Sequence, residues 1–544
     1  MPPQNRCLGE TTSKGLPATC TSLRELVMKD SGKFQVFDQP WHPILWGVFP
    51  VLALFAYNIT EIQLSDAARS FIVAPLVTLI LFLILGLITK DWHRAAAISV
   101  LVLVAFFSYG HVYQFLEGIS PVGIIIGRHR VLVPIYLAVF GIAVWWVARW
   151  KGDFRVLTRA LNVAAVTALL LPVLQISLYS VREANAGTPE AADHLQVVRS
   201  SDGKSPPDVY YIILDGYSRD DVLKSFYQYD NGAFLNELTA LGFYVARCSQ
   251  SNYSQTQLSL SSSLNLNYLS ALGGGFTENR TDRVGMPALI KHSLVRQSLE
   301  KLGYTMVAFE TGYYWTQVED AGVYISPKSS VASLLDITGG LNAFEALLIR
   351  TSAGLVLADG ASVLPGFIRS DLNHPSEIHR QRVLFTLDQL GKVARMPGPK
   401  FVFAHIVSPH KPFVFGPQGE EVQQEKNPLI GYRDQVAYLD SRMIPLLQKI
   451  LSESASPPVI VIQGDHGGVE TKAGDRMAIL NAYYLPDNGS QHLYESITPV
   501  NTFRVIFNTY FGGHYDLLED ASYLSTYQLP YKLKSIPNAR PGCP

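Results

Sequence analysis

A chain of 544 residues is too long for one compact domain, so two or three units are expected. Its net charge of −1 gives no reason to expect a nucleic-acid partner. Charged residues make up 16% of the chain and hydrophobic ones 48%, and nearly all of that imbalance lies in the first third.

The N-terminal segment, residues 1–43, is followed by five apolar stretches at 44–59, 71–88, 95–112, 131–148 and 160–181. Each is close to the ~20 residues that cross a hydrocarbon core, the first being the shortest. Residues 71–88 (FIVAPLVTLILFLILGLI) contain no charge, and none of the five has a wet face, which excludes buried helices of a soluble domain. Residues 44–181 therefore read as a five-helix transmembrane domain. The N-terminal segment and the second and fourth connections carry eleven lysines and arginines. The first and third carry only Arg69, Arg128 and Arg130. The positive side stays in the cytoplasm, so the expected protein is integral to the plasma (inner) membrane and multi-pass. Its N-terminus is then cytoplasmic and everything after 181 extracytoplasmic. The first 41 residues lack the pattern of a cleaved signal peptide, so the first membrane helix is expected to direct insertion, with Met28 as an alternative start.

The four cysteines, Cys7, Cys20, Cys248 and Cys543, form no CxxC pair, which leaves a zinc ribbon without support. On this topology Cys248 and Cys543 lie outside the membrane, where a disulfide persists if it forms. A bond and two separate buried thiols both fit the sequence.

Residues 182–207 are polar, rich in small residues and closed by a Pro pair, and read as a linker. From 208 to 544 strand-like and helix-like patterns alternate. Strands are expected at Asp208–Leu214, Gly242–Ala246, Tyr304–Phe309, Lys400–Ile406, Pro458–Gln463 and Leu480–Leu485. Helices are expected near 218–228, 256–270, 286–302, 374–395, 430–452 and 497–511. Strands such as PVIVIQ are apolar on both faces, as in sheets covered by helices on each side, so an α/β layered domain is expected.

Ligands in such folds bind beyond the carboxyl ends of the strands, and four polar clusters sit where a strand is expected to end. In DVYYIILDGY, Asp215 follows the strand and is a natural hard-cation ligand, although Asp-Gly at this place is more often a plain turn. In residues 251–269, Thr256 opens a helix with Leu258, Leu260, Leu264 and Leu266 available for burial. The positive helix end favours an alkoxide and a bound phosphate, while a serine-rich cap without chemistry explains the same pattern. In FVFAHIVSPHKPF, His410 can hold a phosphate oxygen or protonate a leaving group, and His405, inside the apolar strand, reads as a satisfied core histidine. In PVIVIQGDHGG, Asp465 and His466 can both reach one divalent ion, and the flanking glycines let the backbone fold close.

The order strand–Asp, helix-opening Thr, SPHxP, strand–GDHG resembles the alkaline phosphatase superfamily. Within it the chain is similar to the sulfatase-like branch that includes lipoteichoic acid synthases and phosphoethanolamine transferases, over residues 206–512. The resemblance implies an alkaline-phosphatase-like (sulfatase-like) outer domain and one divalent metal ion, Mn or Zn with Mg or Ca as further candidates. It also implies the ligands Asp215, Thr256, Asp465 and His466, Thr256 as nucleophile and His410 as a phosphate-contacting residue. The C/S-x-P-x-R setting of true sulfatases is absent, since Gln257, Leu258 and Ser259 follow Thr256. Lipoteichoic acid synthases carry Glu where this chain has Asp215, which puts polyglycerophosphate synthesis in doubt. The expected activity is transfer of phosphoglycerol or phosphoethanolamine from a membrane phospholipid donor to a glycan or lipid acceptor through a phosphothreonine intermediate. The rivals are a phosphodiesterase that passes the group to water and a non-catalytic envelope scaffold.

Overall fold

The computed structural model describes residues 38–117, 119, 127–185, 206–273, 275–327, 341–359, 366–422, 427–538, 540 and 542–543. Cys7, Cys20, Met28 and most of the 182–207 linker lie outside them.

Five apolar helices come first: α1 (His42–Tyr57), α2 (Leu64–Thr89), α3 (Trp92–Leu116), α4 (His129–Arg149) and α5 (Phe154–Asn185). Four of them, α2 to α5, are long and apolar enough to cross a membrane. The first stretch falls short of the expected span. Its helix has 16 residues, about 24 Å at ~1.5 Å per residue, against ~30 Å of hydrocarbon. It stops where the Asn58 side-chain amide donates back to the Leu54 carbonyl at 2.8 Å. This short helix packs against its neighbours, with Val51 and Phe55 buried and the His42 N–H donating to Asn162 Oδ1 at 3.0 Å. On α2, by contrast, Ile72, Leu76 and Ile80 point outward about half exposed, a face suited to lipid.

The C-terminal domain is built on a seven-stranded sheet in the order β2-β7-β6-β1-β5-β3-β4. The strands are β1 (Val209–Leu214), β2 (Tyr244–Val245), β3 (Thr305–Phe309), β4 (Val323–Ile325), β5 (Lys400–Ile406), β6 (Val459–Gln463) and β7 (Asn481–Tyr484). β1 lies parallel between β5 and β6, and β7 runs antiparallel to its neighbours β6 and β2. β1 is buried along its whole length. On one face Tyr210, Ile212 and Leu214 pack with Val383 and Leu387 of α8 (Gly366–Val393) and Val436 and Met443 of α9 (Pro428–Glu453). On the other, Tyr211 and Ile213 pack with Phe503 and Phe507 of α10 (Pro499–Tyr510). This is the α/β layered architecture expected of a strand apolar on both faces.

Several boundaries differ from expectation. The helix at 256 stops at Ser263 (α6, Thr256–Ser263), and Leu266 beyond it takes φ +56°, outside helical space. The helix expected over 286–302 breaks at Ser293, whose hydroxyl accepts from the Arg296 N–H and caps a second helix. The short strand β4 and the two-residue pairing of Tyr523–Leu524 with Lys534–Ser535 were not foreseen, because so few residues hold no periodicity. Nor was α7 (Ala343–Arg350), which packs on the membrane helices. There Phe344 is buried with Val51, Phe55 and Ala67, Asn342 Nδ2 donates to the Asp66 carbonyl at 2.8 Å, and Glu345 pairs with Arg69. A stretch of the 208–544 segment thus belongs spatially to the membrane unit.

Cys248 and Cys543 form a disulfide with Cα atoms 5.5 Å apart. The bond ties the end of the chain to the loop that precedes Thr256 and restricts the unfolded chain over a 295-residue separation.

The turn after β1 is anchored from below by Asp440 of α9. Its Oδ1 accepts from the Tyr217 hydroxyl at 2.5 Å and its Oδ2 from the Tyr229 hydroxyl at 2.9 Å. Burial outweighs these two bonds and pushes the carboxyl up to about 7. The unfolded chain sheds this proton near the ordinary carboxylate pKa while the folded one keeps it. Stability therefore falls as pH rises from about 4 to about 7, by on the order of 4 kcal/mol for three pKa units. Asp440→Asn, uncharged throughout, is expected to gain stability over the wild type at pH 8 and to lose that advantage near pH 4. Urea denaturation of the detergent-solubilised full-length protein at both pH values checks this, and a difference that does not change with pH refutes it.

Candidate active site

Three neighbouring parallel strands end at one edge of the sheet. Leu214 of β1 lies beside Ile406 of β5, and Ile213 beside Gln463 of β6, so the residues after each strand meet. Asp215 follows β1, the 407–413 turn follows β5, and Asp465 and His466 follow β6. Gly216 takes φ +77°, the left-handed region where glycine is unstrained, and its N–H donates to Asp465 Oδ1 at 2.9 Å. Gly464 leaves no room for a side chain, since a Cβ there would sit 2.5 Å from the Tyr217 carbonyl oxygen. These two glycines bring the first and last ligand turns into contact.

Thr256 is the first residue of α6, a helix whose Leu258 and Leu260 are fully buried. Its hydroxyl donates to His466 Nε2 across 3.2 Å. The direction follows from the other ring nitrogen: His466 Nδ1 donates to the Gly467 carbonyl at 2.8 Å, which leaves Nε2 with its lone pair. Burial lowers the His466 pKa against the pull of Asp465, so the ring is neutral.

Asp215 Oδ1 and Asp465 Oδ2 lie 3.7 and 3.5 Å from that same Nε2. Both oxygens are buried and neither has a hydrogen-bond partner. Two carboxylate oxygens and an imidazole lone pair facing one another without a proton repel, and a divalent cation relieves the repulsion. The residues present therefore fit a metal ion. Its holders would be Asp215, Asp465, His466 and Thr256, and three oxygens with one nitrogen suit Mn or Zn without choosing between them. All four expected ligands are brought together.

His405 was read as a core histidine, and it is buried and partnered at both nitrogens, but one partner is a site carboxylate. Its Nε2 lies 3.2 Å from Asp215 Oδ2 and its Nδ1 3.2 Å from Thr316 Oγ1. One donor atom each from Asp215, His405 and Asp465 falls within 4.8 Å of the others. Donation from Nε2 to Oδ2 leaves Oδ1 for the cation and makes His405 the residue that orients Asp215. The missed signal was positional. His405 pairs in register with Ile213, two residues before Asp215, on the adjacent strand. Burial pushes the Asp215 carboxyl up, but His410 and the hydrogen bond from His405 outweigh it and hold it below the usual carboxylate range.

His410 arrives from the β5 exit turn. Its N–H donates to the Asp215 carbonyl at 3.0 Å, its Nδ1 donates to the Lys411 carbonyl at 2.9 Å, and its ring lies 6.3 Å from that of His466. Its Nε2 makes no hydrogen bond among the described residues.

The edge also touches the membrane unit. Glu61, in the loop between α1 and α2, accepts from Trp315 Nε1 at 3.2 Å and from the Tyr527 hydroxyl at 2.5 Å. The Trp315 ring lies 5.8 Å from His405. Arg283 stacks on Tyr527 at 4.0 Å and donates to Gln255 Oε1, the side chain next to Thr256, at 2.6 Å.

No family model and no curated protein matches this chain. Among solved structures it is similar to the C-terminal periplasmic domain of EptC from Escherichia coli in complex with Zn. That match has 11% identity and a TM-score of 0.39, covering 62% of this chain and 94% of that one. It is similar to the integral membrane lipooligosaccharide phosphoethanolamine transferase A of Neisseria meningitidis, at 12% identity and a TM-score of 0.37 over 86% of this chain and 95% of that one. A third is the lipoteichoic acid synthase LtaP of Listeria monocytogenes, at 14% identity and a TM-score of 0.36 over 64% of this chain and 82% of that one. At TM-scores of this size the likeness carries no weight for chemistry, which rests on the geometry above.

His405→Ala is expected to keep the fold and to weaken metal binding by about 10–100-fold, the usual loss for a residue that orients a ligand. Competition with a coloured chelator measures this on the purified protein, and an unchanged affinity would return His405 to a packing role.

Proposed function

We propose that this chain is a membrane-anchored, metal-dependent transferase that moves a phosphoryl-alcohol group from a phospholipid, through a covalent phosphothreonine, to a glycan or lipid acceptor. The observation that carries the reading is the convergence of the Thr256 hydroxyl, the His466 lone pair and two unpartnered buried carboxylate oxygens at one sheet edge.

A bound divalent ion would lower the pKa of the Thr256 hydroxyl and offset phosphate charge. Thr256 Oγ, its proton lost to water, forms a bond to phosphorus as the bond from phosphorus to the departing lipid oxygen breaks. His410, protonated at Nε2, passes that proton to the departing oxygen, while its Nδ1 stays fixed on the Lys411 carbonyl. An acceptor hydroxyl then attacks the same phosphorus and gives its proton to His410. Thr256 leaves as alkoxide and takes a proton back from water, so both groups return to their starting forms. Phosphoglycerol and phosphoethanolamine are the preferred headgroups.

Two features support a lipid donor. Trp315, whose ring lies 5.8 Å from His405, and Tyr527 both donate hydrogen bonds to Glu61, a residue of the membrane unit. An apolar cavity of about 740 Å³ opens between α1, α3 and α7, lined by Trp46, Phe49, Leu103, Phe107, Leu347 and Leu348. The α1–α2 loop and the outer end of α3, whose Phe106 carbonyl accepts from the Ala353 N–H at 2.7 Å, both lie on the catalytic side. That placement accords with a cytoplasmic N-terminus, since those connections carry few positive charges.

Thr256→Ala is expected to lose turnover by at least about 10³-fold and to trap no covalent adduct, with the fold intact. Intact-protein mass spectrometry after incubation with phosphatidylglycerol and with phosphatidylethanolamine reads out the adduct and its headgroup. An adduct on Thr256→Ala, or full activity of that variant, rejects the nucleophile. Release of the headgroup to water at the same rate with and without acceptor alcohol would identify a phosphodiesterase instead.

A further inference from the structure

Arg476 is a cation that the site as described leaves without a task. It lies in the short turn after the GDHGG segment, and two contacts fix it. Its carbonyl accepts from the Gly467 N–H at 2.7 Å, directly beside His466. Its Nε donates to the Ser254 carbonyl at 2.9 Å, two residues before Thr256. The guanidinium thus spans the gap between the turn that carries Asp465 and His466 and the loop that delivers the nucleophile.

Arg476 takes part in none of the ion pairs among the described residues, and its two Nη groups make no hydrogen bond there. Burial lowers its pKa against the pull of Asp465 and then Asp215, so both carboxylates lie within its electrostatic reach. Other arginines of the domain differ. Arg219 forks onto Asp221, Arg296 onto Glu300 and Asp320, and Arg382 onto Glu310. An arginine held at Nε with both Nη groups unspent is a ready-made fork for an oxyanion.

Charge balance names the anion. The carboxylates of Asp215 and Asp465 offset one divalent ion, and His466 is neutral, so the positive charge of Arg476 remains unmatched. A phosphodiester carries one negative charge, and so does the diester formed when its phosphoryl-alcohol group sits on Thr256. We propose that Arg476 binds the non-bridging oxygens of the substrate phosphodiester, and of the phosphothreonine diester, through its two Nη groups. The inference rests on the reading of the site as a phosphoryl-transfer centre and adds to it the group that recognises the phosphate.

The test uses the full-length, metal-loaded protein and inorganic phosphate as the probe. Calorimetric phosphate affinity, metal content and thermal midpoint are measured for the wild type, Arg476→Ala, Arg476→Lys and Thr256→Ala at one fixed ionic strength. Arg476→Ala is expected to weaken phosphate binding by about 10–100-fold, as for a lost charge-assisted hydrogen-bond pair. Arg476→Lys should recover only part of it, because a point charge lacks the fork, and metal content should not change. A wild type that binds no phosphate overturns the proposal, as does an Arg476→Ala variant that binds like the wild type. A variant that loses metal in step with phosphate shows a counter-charge instead of a clamp. Arg476-dependent phosphate binding without any covalent adduct on Thr256 would leave the clamp standing and remove the transfer reaction.

Discussion

Two buried carboxylates with an unpartnered oxygen each are the constraint around which this domain is organised. An ionised carboxylate away from water is unfavourable by several kcal/mol unless it meets a cation or donors. Asp215 and Asp465 meet donors on one side only, from His405 and from the Gly216 N–H respectively. Their other oxygens point at a lone pair on His466. The chain holds these like-signed atoms together because the sheet leaves them nowhere else to go. β1 is buried on both faces and pinned between β5 and β6, so the turns after the strands must share one edge. That frustration is what suits the edge to a cation.

The same edge shows how a membrane protein can place chemistry at the bilayer. A short apolar helix, α1, ends early, and the loop after it reaches the α/β domain at Glu61. From the other direction, α7 leaves the C-terminal domain to bury Phe344 among membrane helices. Each unit thus places a segment in the other. The hydrogen bonds beside Thr256 run from Gln255 through Arg283 and Tyr527 to the same Glu61, so the start of that helix and the membrane loop share one network.

Much of the site was legible before any coordinates. Asp215, Asp465 and His466 each follow an apolar run, and ligands in layered α/β folds gather where such runs end. Thr256 stood out only through the family resemblance, since a helix start rich in serine is explained equally well by a cap without chemistry. His405 is the satisfied core histidine the sequence suggested, but an isolated histidine inside an apolar strand looks the same whether its partner is a carbonyl or a site carboxylate. Only the pairing of β5 beside β1 reveals Asp215 as that partner. Arg476 was passed over because nothing near it in sequence distinguishes it from a solvated turn residue. Its meaning lies in contacts with Ser254 and Gly467.

The amino-acid order alone determined what depends on composition and short periodicity. It set the division into a lipid-facing third and a layered α/β remainder, the strand centres, and the residue types at the strand ends. Those are local properties, set within about ten residues by which side chains water rejects. The tertiary structure decided what depends on distance between remote residues. It set the short span of α1, the excursion of α7 into the membrane unit, the Cys248–Cys543 bond, and which oxygens remain unsatisfied. Sheet order and register bring atoms some 200 residues apart to within 4 Å of one another, and a one-dimensional pattern holds no measure of that separation.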